Sequence, residues 1–224
     1  MMALLDGAEA VLFDLDDTLL DYTAARDAGF VSWLAERDPA RSTKDLDAWQ
    51  SLEDTHFRRY SAGEISFGEQ RRARLRAFWP QLSGAPEAEL DEMYETYVVH
   101  MEAAWSAVPH AAEVVQVLAA RMPVGVLTNG YHAMQVRKLK LLGLEGVPLF
   151  ASSELVAPKP DPRAYDAACT GLGVPKERTV MVGDDITNDV QGALLAGLSA
   201  VWFDRGRGGA VAAPKVTCLR QLLA

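Results

Sequence analysis

The chain has 224 residues, 49% hydrophobic and 24% charged, the composition of an ordinary globular protein with one large domain or one domain carrying a smaller insertion. Its 31 Asp and Glu outnumber 22 Lys and Arg, a formal charge of -9, so the surface repels polyanions and neither nucleic acid nor an anionic membrane is expected as the main partner. Cys169 and Cys218 form no CxxC or Cys/His cluster and read as thiols in a reducing compartment, while Asp6 and Glu9 stand where a leader would be basic, so a cytoplasmic location is expected.

In chain order, Ala10–Phe13 (AVLF) reads as a short buried strand that ends in the acidic cluster Asp14-Leu15-Asp16-Asp17, followed by Thr18. From about Asp21 to Met101 the spacing is helical, clearest in Leu46, Trp49, Leu52, Phe57 and Tyr60 and in Leu90, Met93, Tyr94, Tyr97, Val98 and Met101. Breaks at Asp38-Pro39, Ser61-Ala62-Gly63, near Pro80 and at Ser83-Gly84-Ala85-Pro86 divide this stretch into about four helices. Trp33, Trp49, Phe57, Tyr60, Trp79 and Tyr97 are expected in its core, with one or two left to face a ligand.

After Pro109 strands and helices alternate. The spacing predicts a helix over 111–120, a strand over 123–127, a helix over 133–142 stopped by Gly143, and a strand near 149–152. Next come a helix capped by Asp161-Pro162 and running to Leu172, a strand over 179–182, a helix over 188–195 closed by Gly197, and a strand over 200–203. Arg205 to Gly209 reads as a loop. VGVL, TVMV and AVWF are nearly unbroken apolar runs, as in a parallel sheet covered on both faces. The expectation is an α/β protein: a Rossmann-like parallel sheet core from residues 1–20 and 104–224, with an all-helical domain inserted at 21–103. Such sheets bind ligands at the carboxyl ends of their strands.

Polar clusters stand at those ends. Asp14 and Asp16 point the same way if the first strand continues, and two such carboxylates call for a divalent cation or a shared proton. Thr128-Asn129-Gly130 follows the second strand, Lys159 lies in Ala-Pro-Lys-Pro-Asp-Pro, and Gly183-Asp184-Asp185 with Asn188 and Asp189 follows TVMV. This inventory of hard oxygen ligands, a carboxylate nucleophile, a hydroxyl, an ammonium and backbone amides suits phosphoryl transfer. Thr128 also suits a helix cap, and Asn188 and Asp189 suit the first turn of a helix. His56, His100, His110 and His132 are scattered, with no spacing for a zinc site.

VLFDLDDTLL, VLTNG, APKPDP and VGDDITND resemble motifs I to IV of the haloacid dehalogenase superfamily, in order and spacing, and the helical insertion is similar to that family's C1 cap. The resemblance implies that Asp14 is a nucleophile forming an aspartyl-phosphate, and that Asp16 protonates the leaving alcohol and later deprotonates water. It also implies Mg²⁺ held by the side chains of Asp14 and Asp184 and the carbonyl of Asp16. Thr128 and Lys159 are then expected on the phosphoryl group, with the amides of Leu15, Asn129 and Gly130 as further donors. Asp185 stands where many relatives carry Ser, and Asp185, Asn188 and Asp189 are expected as support, Asp189 from behind the metal. Dehalogenases of the family typically lack the second motif I aspartate, so Asp16 favours a phosphatase acting on a small phosphorylated metabolite, a nucleoside monophosphate or sugar phosphate, as monomer or homodimer. A 2-haloacid dehalogenase and a phosphate-binding module without turnover are the alternatives.

Overall fold

A computed structural model describes residues 4–41, 45–206, 208–209 and 211–224. The chain forms two compact units: one runs to Asp21 and resumes at Ser106, and the other spans Tyr22–Trp105. Arg207, inside the Gly-rich stretch read as a loop, lies outside the described residues.

The first unit is built on a six-stranded, wholly parallel sheet in the order β3-β2-β1-β4-β5-β6. Its strands are β1 (Ala10–Phe13), β2 (Val124–Thr128), β3 (Leu149–Ala151), β4 (Thr179–Gly183), β5 (Ser199–Phe203) and β6 (Lys215–Val216). Every residue of β1, β2 and β4 is buried, which is why their sequences are apolar runs rather than alternating ones. β1 pairs with β2 on one side, Phe13 opposite Val126, and with β4 on the other, Phe13 opposite Val182. The chain therefore moves outward through β2 and β3 and returns across β1 to β4. That reversal is a topological switch point, where the first peptides beyond neighbouring strands splay apart and leave a crevice.

The connecting helices are α5 (Ala111–Ala119), α6 (His132–Leu141), α7 (Pro162–Leu172) and α8 (Gly192–Ala196). Asp161 caps α7 by accepting from the amide of Arg163, with Pro162 in the first turn. The helix expected at 188–195 begins earlier, as a π-helical segment over Ile186–Gln191 that passes into α8. Three hydrogen bonds accompany the wider turn: the carbonyl of Asp185 accepts from the amides of both Asp189 (2.8 Å) and Val190 (3.3 Å), and the Tyr165 hydroxyl donates to the carbonyl of Asn188. β6 and a terminal 3₁₀ turn over Leu219–Leu223 were not expected; both are too short to carry a periodic pattern.

The second unit holds α1 (Tyr22–Arg37), α2 (Leu46–Ser61), α3 (Phe67–Phe78) and α4 (Glu87–Ala103). α3 starts with a capping box between Ser66 and Glu69. The core is aromatic: Phe30 stacks on Trp49 at 4.9 Å, with Trp33, Phe78 and Tyr97 around them. Trp33, Trp49, Trp79 and Tyr97 are buried as expected, whereas Phe57 and Tyr60 are only partly covered and pack on each other. The core also encloses an ion pair, Arg74 with Glu53 at 3.1 Å; the Tyr22 hydroxyl donates to Glu53 and Arg74 donates to Tyr94, both at 2.6 Å.

α1 and α4 come together at Gly29, where an added Cβ would lie 2.5 Å from the Cα of Met101. Helix propensity favours Ala over Gly by about 1 kcal/mol, but here the obstacle is backbone, which cannot swing aside. Gly29→Ala is expected to destabilise the protein by about 2 kcal/mol in urea unfolding, and a neutral or stabilising result would contradict the close approach. Among the described residues, no helix is long and apolar enough to cross a membrane.

Candidate active site

The amide of Asp14 makes the last sheet contact of β1, donating to the carbonyl of Val182 at 2.9 Å, and the chain then turns. The carbonyl of Leu15 accepts from the amides of Leu19 (2.9 Å) and Leu20 (3.0 Å), and Asp17 adopts φ 64°. The strand does not continue, so alternation along a strand is not what orients Asp14 and Asp16; the tight turn does that. Both still line one pocket of about 190 Å³, together with Asp17, Thr128, Asn129, Lys159, Asp184, Asp185, Asn188 and Asp189.

Lys159 is the centre of this pocket. Its ammonium donates to Asp14 Oδ1 at 2.7 Å and to Asp189 Oδ1 at 2.6 Å, all three side chains being buried. Its main chain is clamped by the Asn129 side chain, which donates to the Lys159 carbonyl at 2.7 Å and accepts from its amide at 2.9 Å. Asn129 thus ties the loop after β2 to the loop carrying Lys159. The expected contribution of the Gly130 amide is corrected by the geometry, because that N–H donates to Ser152 Oγ at 3.0 Å and Gly130 does not line the pocket.

Beyond β4, Asp184 accepts from Thr18 Oγ1 at 3.3 Å, and its carbonyl accepts from the Trp202 indole at 3.1 Å. Asp185 is exposed and caps the segment after it, accepting from the amides of Thr187 (2.8 Å) and Asn188 (2.7 Å). Asp189 turns back under the pocket, where its second oxygen accepts from the amide of Asp185 at 3.0 Å. Gly183 makes this possible, since a Cβ there would sit 2.2 Å from Asp189 Oδ2.

Carboxylate oxygens of Asp14, Asp184 and Asp189 lie within 4.8 Å of one another. Burial raises the Asp14 carboxyl well above its ordinary range; Lys159 opposes this, and Asp189 and Asp184 add to it. Asp189 is likewise raised by burial against the pull of Lys159. Burial alone would lower Lys159, but Asp14 and Asp189 outweigh it and keep the ammonium protonated. Three carboxylates facing one ammonium leave an excess of negative charge in a buried place. The donors are all oxygen, with no His or Cys among them, and that set fits a hard cation such as Mg²⁺ rather than zinc or copper.

The Asp16 carboxylate stands apart from this cluster and has its own partners. Lys138 donates to both its oxygens at 2.6 and 2.7 Å, and Gln135 donates to Oδ2 at 3.1 Å. Neither residue stood out in the sequence. The available signal was helical phase: Met134, Gln135, Lys138 and Leu139 share a buried face of α6, which places an amide and an ammonium where apolar side chains belong.

Residues 8–197 match the haloacid dehalogenase-like hydrolase family, and the chain belongs to it. The protein is accordingly a hydrolase. It is 29% identical over 201 residues to the pyrimidine 5'-nucleotidase PynA of Streptococcus pneumoniae, covering 87% of this chain and 83% of that protein. YfnB of Bacillus subtilis, solved bound to magnesium, has the same fold, with a TM-score of 0.77 and 22% identity over 96% of each chain. A 2-haloacid dehalogenase from Pseudomonas syringae is also similar, with a TM-score of 0.69 and 27% identity over 96% of each chain.

Proposed function

We propose that this hydrolase is a magnesium-dependent phosphatase of small phosphate monoesters, such as nucleoside monophosphates or sugar phosphates, working through an aspartyl-phosphate on Asp14. The observation that carries the reading is that two aspartates lining one pocket are held by different lysines. Asp14 lies 2.7 Å from Lys159 and beside Asp184, while Asp16 is held separately by Lys138.

In the first step an oxygen of Asp14 attacks phosphorus, the ester P–O bond breaks, and the leaving alkoxide takes a proton from Asp16. In the second, Asp16 removes a proton from water, whose oxygen attacks the phosphorus of the aspartyl-phosphate, and inorganic phosphate leaves with Asp14 restored. Lys159 offsets charge on Asp14 and the phosphoryl oxygens, and Thr128 donates its hydroxyl proton to one of those oxygens. Magnesium, when held by the carboxylates of Asp14 and Asp184 and the carbonyl of Asp16, supplies the positive charge that lets an anionic substrate approach an anionic nucleophile. Asp189 serves Lys159, since its two oxygens already accept from Lys159 and from the amide of Asp185.

PynA is named a pyrimidine 5'-nucleotidase, which supports nucleoside monophosphates as the first substrate class. The dehalogenase reading is weaker because a departing halide needs no proton, and this chain keeps Asp16 and furnishes it with partners. The test is phosphate release from para-nitrophenyl phosphate and a panel of phosphorylated metabolites with Mg²⁺, run beside halide release from 2-chloropropionate. Phosphate without halide is expected; halide without phosphate would reverse the assignment. Asp16→Asn is expected to slow loss of the phosphoryl group by about 10²-fold or more, so that acid quenching traps phosphorylated protein. Unchanged turnover in this variant would remove Asp16 from the mechanism.

A further inference from the structure

We propose that Gln135 and Lys138 of α6 are positioning residues for the reaction, Lys138 fixing the carboxylate of Asp16 and Gln135 coupling Asp16 to Thr128. The inference rests on the phosphatase reading and adds two residues to it.

The two side chains are one helical turn apart on the same face of α6, and they are 1% and 3% exposed. A lysine buried to that degree needs an anionic partner, and Asp16 supplies it through both oxygens, at 2.6 and 2.7 Å. A carboxylate gripped at both oxygens is fixed in direction, which a single contact does not achieve. For a group that must meet first a leaving oxygen and then a water at the same phosphorus, direction governs rate.

Gln135 uses one amide nitrogen twice, donating to Asp16 Oδ2 at 3.1 Å and to Thr128 Oγ1 at 2.9 Å. The nitrogen must face Asp16, because the opposite orientation would set the amide oxygen against a carboxylate. Thr128 therefore accepts from Gln135, and its single hydroxyl proton is left to be donated elsewhere. In the proposed reaction the acceptor is a phosphoryl oxygen.

Gly130 provides the room. A Cβ on it would lie 2.3 Å from Gln135 Nε2 and 2.9 Å from Cδ. Gly130 is not among the glycines with positive φ, so the backbone does not require glycine there and the missing side chain acts through space alone. The signature VLTNG thus ends in a glycine whose amide serves Ser152 and whose bare Cα admits Gln135.

The test is steady-state hydrolysis of para-nitrophenyl phosphate with Mg²⁺ by the wild type, Lys138→Met, Lys138→Arg, Gln135→Leu and Gly130→Ala. Each is also made in the Asp16→Asn background, with melting temperatures measured alongside. Lys138→Met is expected to lower kcat by about 10- to 100-fold with KM changed less than about threefold, and Lys138→Arg to recover part of the loss. In the Asp16→Asn background the same Lys138→Met change should alter kcat by less than about twofold, because its action runs through the missing carboxylate. Gly130→Ala should match Gln135→Leu and add nothing to it. A purely structural role would instead lower the melting temperature and reduce kcat equally in both backgrounds, which would overturn the proposal. Wild-type turnover with an unimpaired Lys138→Met variant would overturn it alone, whereas a wild type inert toward every phosphate monoester would overturn the phosphatase reading and the proposal with it. Should Lys138→Met fail to fold, the Gln135→Leu and Gly130→Ala pair decides, and full kcat in both would refute the coupling.

Discussion

Asp14→Asn is expected to abolish phosphate release, lowering kcat for para-nitrophenyl phosphate by about 10⁴-fold or more while leaving the fold intact. The substitution keeps shape and leaves an oxygen that can still accept from the Lys159 ammonium, now 2.7 Å away. What it removes is the nucleophile, since an amide oxygen does not form a stable link to phosphorus. It also removes one negative charge from a buried group that burial and its acidic neighbours disfavour. In metal-free buffer the variant should therefore melt no lower than the wild type. Its acid-quenched form should carry no phosphate under conditions in which Asp16→Asn does. Residual turnover above about one per cent of wild type would leave Asp14 without the role given to it.

Removal of the metal is expected to be as damaging and fully reversible. Asp14, Asp184 and Asp189 bring carboxylate oxygens within 4.8 Å of one another, and among these side chains and Lys159 only the lysine is cationic. Chelation should stop turnover, and restored Mg²⁺ should return it. The same charge excess makes the cation a stabilising ligand: at about 100 times its Kd, a one-site ligand adds about 2.7 kcal/mol to the folded state. Addition of Mg²⁺ should thus raise the melting temperature of the wild type, and Asp184→Asn should lose both the activity and that rise. Full activity after exhaustive chelation, or a melting temperature indifferent to Mg²⁺, would count against a cation in this pocket.

These expectations draw unequally on sequence and structure. β1, β2, β4 and β5 were legible because a parallel strand covered on both faces must be apolar at nearly every position. The four helices over 22–103 were legible from helical spacing and from the breaks at Asp38-Pro39 and Ser83-Gly84-Ala85-Pro86. Asp14, Thr128 and Asp184 could be picked out singly, since each follows a strand or ends one, and Lys159 as a lysine between two prolines; the structure gathers all four in one pocket. The buried pair of Arg74 and Glu53 gave no such signal, because on a helix their spacing is that of any solvated residue.

The turn at Asp17, the π-helical start after Asp185 and the partners of Asp16 belong to the tertiary structure. Lys138 is separated from Asp16 by 122 positions and Gln135 by 119, so no local pattern ties them together. The amide of Gly130 is claimed by Ser152, 22 residues on, for the same reason. Local sequence determined which strands form and which polar groups stand at their ends, because propensity and burial periodicity act over a few residues. Only folding decided which of those groups meet and which further side chains hold them, because hydrogen bonds and ion pairs depend on distances that chain crossovers set.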